Sequence, residues 1–238
     1  MSLYFILLIG SISVPLALSF DKKLHFYTQW KFVFPSIYII AAFYIICDIY
    51  LTKMGVWGFN PRYISEINFM GLPLEEWLFF IIIPYASIFL HEAFILYFPQ
   101  IKLNSISSKV LSILLILLLL TVVAFNLDKT YTLYIFSLVV VVLLISIFDK
   151  TQVISKFYIT FLLILIPFFI VNAILTGSFI DDEVVWYNNS ENLGIRVFTI
   201  PIEDFGYGFS MILFNLLLMA KLQQAFKKSE PKAIENVG

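Results

Sequence analysis

Two short stretches of the chain, 128 residues apart, carry acidic residues in the same order at the start of a long apolar run. Residues 71–77 read GLPLEEW and residues 199–205 read TIPIEDF, so each has a proline, an aliphatic residue, a glutamate, a second acid and an aromatic residue in that order. Ionisable groups at membrane depth are costly and are usually functional. The candidate catalytic residues are Glu75, Glu76, Glu203 and Asp204.

Acids at these positions also have a purely structural explanation. Carboxylates in the first turn of a helix satisfy free backbone N–H groups and complement the helix dipole. The repetition of the pattern favours a catalytic role over a purely structural one. A neutral carboxyl group beside aromatic rings is able to protonate an alkene. Phe79 lies four residues after Glu75 and Tyr207 four after Glu203, so each aromatic shares a helix face with its acid. Aromatic faces stabilise a cation by about 2 kcal/mol in a dry site.

Further side chains around the motifs are candidates for binding or support. The candidate substrate-binding residues are Trp57, Asn60, Trp77, Phe79, Phe80, Trp186, Asn188, Phe205 and Tyr207. The aromatic belt of a membrane surface is the alternative place for such rings. The two arginines, Arg62 and Arg196, are expected to pair with the motif acids or to be solvated in loops, and Asp48 is a further polar partner. The sequence has no nucleotide-binding or metal-ligand pattern, so we expect no cofactor and no metal.

The composition is that of an integral membrane protein. Hydrophobic residues make up 61% of the 238 residues, charged residues 13%, and the mean hydropathy is +0.95. Soluble domains carry about 25% charged residues. The net charge of −1 excludes a broad basic surface for nucleic acid. The single cysteine, Cys47, excludes a disulfide within the chain.

Seven apolar runs have about the 20 residues that a membrane helix needs. They are residues 2–20, 32–51, 75–98, 109–127, 130–148, 156–176 and 203–225. The first run has no positive segment before it and no clear cleavage site, which favours a retained helix over a signal peptide. Prolines 35, 84 and 167 lie inside runs and predict kinks rather than helix ends. The short break at 126–129 predicts that the fourth and fifth helices are antiparallel neighbours.

Charge placement predicts the orientation of these helices. Eleven of the 15 Lys and Arg residues lie on the side of the membrane that carries the C-terminus, and four lie on the other side. The positive-inside rule therefore places the C-terminus in the cytoplasm and the N-terminus outside, in a multi-pass cell-membrane protein. Both long loops, 52–74 and 177–202, then lie outside, and each leads into an acid motif.

The paired motifs also predict an internal repeat in an all-α membrane fold. Aligning Pro73 with Pro201 places residues 59–60 on residues 187–188, and a single spacer helix keeps both copies in the same orientation. The predicted parts are a first three-helix repeat at 1–98, a spacer helix at 99–129, a second repeat at 130–226 and a polar, disordered cytoplasmic tail at 227–238. Residues 205–207 differ from 77–79, which predicts different roles for the two copies.

Residues 55–61 (GVWGFNP), 72–80 (LPLEEWLFF) and 84–85 resemble the first repeat of the small integral-membrane lycopene cyclase family. Residues 186–196 and 200–204 resemble its second repeat. This family includes heterodimeric and fused carotenoid cyclases and the cyclase half of a fungal enzyme joined to phytoene synthase. The resemblance covers nearly the whole chain.

The resemblance implies an isomerase that closes the ψ-ends of lycopene, or of a related acyclic carotenoid, to β-ionone rings without a redox cofactor. It places the acid role on Glu75 or Glu203, with Glu76 or Asp204 assisting. The lipid bilayer and other carotenoid-pathway enzymes are candidate partners, and nucleic acid is not expected. The ring type, the number of rings, the substrate length and the identity of the base stay open.

Two other functions are alternatives. A seven-helix retinal photoreceptor needs a lysine at mid-depth in the last helix, where only Lys221 occurs, close to the predicted cytoplasmic end. A small proton-coupled transporter would use the repeats as halves and the acids as a proton site.

Overall fold

The computed structural model describes residues 1–229 and is an all-α membrane protein, as the sequence predicts. Its helices are α1 (Leu3–Leu18), α2 (Trp30–Lys53), α3 (Leu74–Tyr97), α4 (Ser105–Ala124), α5 (Thr130–Phe148), α6 (Val153–Leu175) and α7 (Ile202–Ser229). Among the described residues, the six helices α2 to α7 are long and apolar enough to cross a membrane, and α1 is a shorter apolar helix. The helices α2, α3 and α6 continue through their internal prolines.

Local capping moves some helix ends away from their predicted positions. The Asn104 side chain accepts a hydrogen bond from the Ser107 amide at 2.7 Å, so α4 begins at Ser105 rather than at residue 109. The last helix, α7, continues to Ser229, past its predicted end at residue 225. The predicted tail, 227–238, is therefore helical over its first three residues, and the remainder of it lies outside the described residues.

Three short antiparallel strand pairs lie in the two long loops, and the sequence did not predict them. β1 (Trp57–Phe59) pairs with β4 (Val185–Tyr187), β2 (Asn68–Phe69) with β3 (Leu72–Pro73), and β5 (Arg196–Val197) with β6 (Ile200–Pro201). The pairs β2–β3 and β5–β6 are hairpins, and each ends at the proline of an acid motif, Pro73 or Pro201. Each hairpin turn contains a left-handed residue, Met70 with φ 56° and Phe198 with φ 57°.

The β1–β4 pair joins the two loops at a position where only glycine fits. Gly58 is opposite Trp186 in the register, between the pairs Trp57–Tyr187 and Phe59–Val185. A Cβ atom on Gly58 would lie 2.3 Å from the Trp186 ring. The absence of a side chain at Gly58 therefore allows the indole to lie directly against strand β1.

Helix packing brings the starts of several helices together. α1 packs against α3, α5 packs against α7, and α2 packs against both α3 and α7. α4 packs against α5, as the short connection between them predicts. Because α1 and α5 lie beside α3 and α7, hydroxyl groups in their first turns are able to reach the motif acids.

Candidate active site

A cavity of about 620 Å³ lies between α1, α3, α6 and α7 and reaches the β1–β4 strand pair. Most of its wall is aliphatic and aromatic. Its carboxyl groups lie at the end where α3 and α7 begin, and they are Asp48, Glu76 and Asp204. Each of these residues is at most 8% exposed. The cavity therefore combines a long apolar wall with a compact acidic end.

Phenolic hydroxyl groups hold the second acid of each motif. The Tyr4 hydroxyl in α1 donates to Glu76 Oε2 at 2.6 Å. The Tyr131 hydroxyl in α5 donates to Asp204 Oδ1 at 2.6 Å, and the Tyr187 hydroxyl in β4 donates to Asp204 Oδ2 at 3.0 Å. These bonds fix the direction in which both carboxyl groups face the cavity.

Asp48 supplies a third carboxyl group from the last turns of α2. Its carboxyl interacts with the Tyr207 hydroxyl. Its Oδ2 atom is buried and has no hydrogen-bond partner among the described residues. An unsatisfied buried polar atom in a native fold needs an explanation, and a functional role is one.

The first acid of each motif lies behind the cavity wall rather than on it. Glu75 and Glu203 are fully buried and do not line the cavity. Glu75 Oε1 accepts the Ser65 amide at 2.7 Å, and Glu203 Oε1 accepts the Leu193 amide at 2.8 Å. Each donor lies ten residues before its acceptor, so both acids tie a loop to the helix that follows it. Hydroxyl groups from the neighbouring helix starts donate to the same oxygens, Ser2 at 2.5 Å and Thr132 at 2.6 Å. The other oxygen of Glu203, Oε2, is buried and has no hydrogen-bond partner among the described residues.

Three of the nine predicted binding residues line the cavity, namely Trp57, Phe79 and Tyr207. Trp57 is 5% exposed and lies at the acidic end, held there by strand β1. Its ring contacts Tyr131 at a centroid distance of 5.0 Å. Aromatic rings therefore border the acidic end of the cavity.

Three other predicted aromatics lie away from the cavity wall. The Trp77 indole donates to the Phe69 carbonyl at 3.3 Å, which closes the β2–β3 hairpin onto α3. Phe80 is fully buried behind Tyr207, and Phe205 packs against Phe168 at 5.1 Å. These rings support the wall rather than form it.

The remaining three predicted binding residues belong to the loops. The side-chain oxygens of Asn60 and Asn188 accept backbone N–H groups two residues further on, at 3.0 and 3.1 Å, so both asparagines form turns. Trp186 is 39% exposed and covers Gly58 on the outer side of the strand pair.

The predicted pairing of the arginines with the motif acids is not formed within the described residues. Arg62 pairs with the exposed Asp181 at 3.7 Å. Arg196 donates to the Thr199 carbonyl at 2.6 Å and to Asn189 Oδ1 at 2.9 Å. Both arginines therefore stabilise loops, and neither forms an ion pair with a motif acid within the described residues.

Tyr4 and Tyr131 were not identified from the sequence. The only available signal is that a hydroxyl residue lies within two positions of a tyrosine at the start of α1 and of α5, in residues 2–4 and 130–132. The sequence does not pair Tyr187 with Asp204 either. Burial, and then the charge of nearby Asp204, raise the pKa of Tyr187 above its ordinary value. Its hydroxyl therefore stays protonated at neutral pH and donates to Asp204.

This arrangement suits acid–base chemistry on an apolar molecule. Buried carboxyls are positioned to give and take protons, and aromatic faces beside them stabilise positive charge. Within residues 1–229, no group of His, Cys, Asp and Glu side chains has an arrangement that fits a metal ion.

The comparison with known proteins gives one match. A sequence-family model described as Lycopene cyclase matches residues 1–94 and 128–222, and these two segments contain both acid motifs. No curated protein and no solved structure matches the chain. Because the matched segments cover most of the chain, the protein belongs to the lycopene cyclase family.

Proposed function

We propose that the protein closes the ψ-ends of lycopene to β-ionone rings at the acidic end of the cavity. The observation that carries the proposal is that Asp48, Glu76 and Asp204 face the aromatic end of one apolar cavity. No Lys or Arg side chain forms an ion pair with these carboxyls within the described residues. Because a buried charge without a partner is costly, we infer that at least one of the three is held as the neutral acid.

The reaction that this site supports is an isomerisation. A carboxyl proton adds to the terminal double bond, which forms a C–H bond and leaves a tertiary cation. The next double bond along the chain, the first of the conjugated polyene, attacks this cation, closes the six-membered ring and moves the positive charge into the ring. Loss of a ring proton to a carboxylate then forms the ring double bond. One proton enters and one leaves, so no electrons are exchanged with a cofactor.

We assign the donor role to Asp48 and the acceptor role to Glu76 or Asp204. Tyrosine hydroxyls donate to the two acceptors, and such hydrogen bonds favour the ionised carboxylate. The Oδ2 atom of Asp48 is buried without a partner among the described residues, so the neutral acid is favoured there. Between turnovers, the proton returns from the acceptor to Asp48 within the same carboxyl cluster.

Glu75 and Glu203 are given a different role from the one that the family resemblance suggests. Neither lines the cavity, and each accepts a backbone amide of the loop before it. We propose that these two acids stabilise the loops that carry Trp57 and Tyr187 and take no part in the proton transfers.

Coexpression with a lycopene-producing pathway tests these assignments. We expect Glu76→Gln, Asp204→Asn and Asp48→Asn to lower cyclisation, with the loss of the true donor costing about 10²–10⁴-fold. The readout is the cyclic-to-acyclic carotenoid ratio divided by the amount of folded protein in the membrane.

Glu75→Gln is the matched control for Glu76→Gln, because the same change is made one residue away. It should keep cyclisation per folded molecule but lose about 1–3 kcal/mol of stability through its broken loop contacts. Full conversion by stable Asp48→Asn protein would refute the donor assignment. Loss of activity in well-folded Glu75→Gln protein would return the donor role to the first acid.

Topology and partners are part of the same proposal. A retinal photoreceptor would need a lysine of the last helix in the cavity. Lys221 instead pairs with Asp149 at 3.1 Å and does not line the cavity, which counts against the retinal alternative. We propose that the N-terminus and both acid motifs are on the outer side of the cell membrane. The substrate is then taken from the bilayer itself.

A further inference from the structure

We propose that the polyene chain of the carotenoid lies along the membrane normal in the apolar part of the cavity, and that it enters from the bilayer between α1 and α6, past Gly10. This inference rests on the proposed function for the identity of the ligand. It adds the path of the chain, its direction, and a residue that controls access.

The length of the cavity is read from its lining along the helices. On α3 the lining extends from Glu76 to Leu90, and on α6 and its C-cap residue from Ile164 to Thr176. At 1.5 Å per residue these stretches correspond to about 21 and 18 Å along the helix axes. The hydrocarbon core of a bilayer is about 30 Å thick, so the cavity runs through much of its depth. An elongated space of this kind fits an extended hydrocarbon chain.

The chemistry of the lining gives the chain a direction. All three cavity carboxyls lie at the end where α3 and α7 begin, together with the phenols that hold them. The far end is formed by aliphatic side chains such as Leu90, Ile164 and Ile212. A linear polyene therefore binds with one ψ-end at the carboxyls and its remaining length among apolar groups.

The side of the cavity opens between α1 and α6. Three residues there both line the cavity and are exposed on the membrane-facing surface: Ile6 at 48% and Val14 at 62% in α1, and Ile170 at 61% in α6. Gly10 lies between Ile6 and Val14 on α1, and no atom lies within 4 Å of a Cβ built on it. A hydrocarbon chain is thus able to pass sideways from the bilayer into the cavity without crossing water.

Gly10→Trp tests this path because a Cβ atom at Gly10 has open space around it, and the ring that it carries would narrow the opening. Tryptophan has a higher helix propensity than glycine, so α1 should be retained. Ile9→Trp is the matched control, since Ile9 is 41% exposed on the same helix but does not line the cavity. We expect Gly10→Trp to lower lycopene conversion by about tenfold or more, and Ile9→Trp to match the wild type.

Binding is measured separately from conversion in a Glu76→Gln background. The amount of lycopene that copurifies with the protein is quantified by its absorbance, with Gly10→Trp or Ile9→Trp added. Selective loss of bound lycopene in the Gly10→Trp protein supports the path, whatever part Glu76 takes in the proton transfers. Equal binding and equal conversion in both tryptophan variants would overturn it and leave the opening to a lipid acyl chain.

The two proposals fail in distinguishable ways. If the wild-type protein binds lycopene in a Gly10-dependent manner but forms no ring, the proposed function fails and the binding path stands. If the wild type forms rings and Gly10→Trp has no effect on binding or rate, the proposed function stands and the path fails.

Discussion

The two acids of each motif are adjacent in sequence, yet they have different surroundings. Neighbouring residues on an α-helix point about 100° apart, so one helix start cannot direct both side chains into the same cavity. Glu75 faces the loop before α3 and accepts its amide, whereas Glu76 faces the cavity and accepts the Tyr4 hydroxyl. The first acid of the motif therefore anchors the loop, and the second faces the cavity.

The tyrosine bonds to the second acids should matter for the reaction. Tyr131→Phe removes the donor at Asp204 Oδ1 and leaves Tyr187 as the remaining phenol on that carboxyl. We expect about 1–3 kcal/mol of lost stability, together with about tenfold lower cyclisation because the carboxyl is no longer held in one direction. Thermal unfolding in detergent and carotenoid ratios in the host measure the two effects.

Tyr158→Phe is the control for this change. The Tyr158 hydroxyl bonds to Ser112 at 2.7 Å and does not line the cavity. It should show a stability loss of the same kind with unchanged activity per folded molecule. If the two variants lose activity equally, Tyr131 has no special part in positioning Asp204.

The sequence predicted which residues are buried acids better than it predicted which way their side chains face. The repeated Pro-x-Glu-acid pattern identified four buried acids, and all four are 8% exposed or less. Which of two neighbours faces a cavity depends on the rotation of the helix about its axis, and packing against α1 and α5 sets that rotation. A single sequence carries little information about such contacts, so Tyr4 and Tyr131 could not be paired with their acids in advance.

Among the secondary-structure elements, the helices and the strands differ in how well their sequences predict them. Runs of about 20 apolar residues are strong signals, and each of the seven predicted helices is present. The strands are two or three residues long, which is too short to show a two-residue periodicity. One pair joins the two loops and the other two form within one loop each, so backbone pairing rather than local sequence pattern determines them.

The β1–β4 pair should be sensitive to a single methyl group. Gly58→Ala places a Cβ atom against the Trp186 ring, where 2.3 Å is available. We expect a loss of about 1–3 kcal/mol, which is typical of overpacking. Activity should fall as well, because β1 holds Trp57 at the acidic end of the cavity. Thermal unfolding and carotenoid ratios are the measurements.

A double variant separates this clash from other effects. Trp186→Ala removes the obstructing ring, and it should be mild alone because Trp186 is 39% exposed. Adding Trp186→Ala to Gly58→Ala should restore much of the lost stability, since contacting residues show coupling in such cycles. Simple additivity of the two changes would contradict the predicted contact.

For the whole molecule, we infer that residues 1–98 and 130–226 are two copies of one three-helix unit, with 99–129 as spacer. The hairpins β2–β3 and β5–β6 recur at the same distance before each acid motif, and so do the amides that bind the first acids. The copies meet along β1–β4, where each contributes the same stretch of its loop, as a two-fold contact requires. They have diverged in the acids' surroundings, because Glu76 accepts one phenol and Asp204 accepts two.

The two copies contribute to one cavity, and this arrangement predicts how a carotenoid with two rings is formed. All cavity carboxyls lie at one end, so a linear carotenoid presents only one ψ-end to them in each binding event. A bicyclic product then requires the monocyclic carotenoid to leave, reverse and bind again. In vesicles given isotope-labelled lycopene and excess unlabelled monocyclic carotenoid, the first bicyclic product should be mostly unlabelled, because the released intermediate mixes with the pool. Bicyclic product that is fully labelled from the first turnovers would show that both ends react without release, and a single-ended cavity does not permit that.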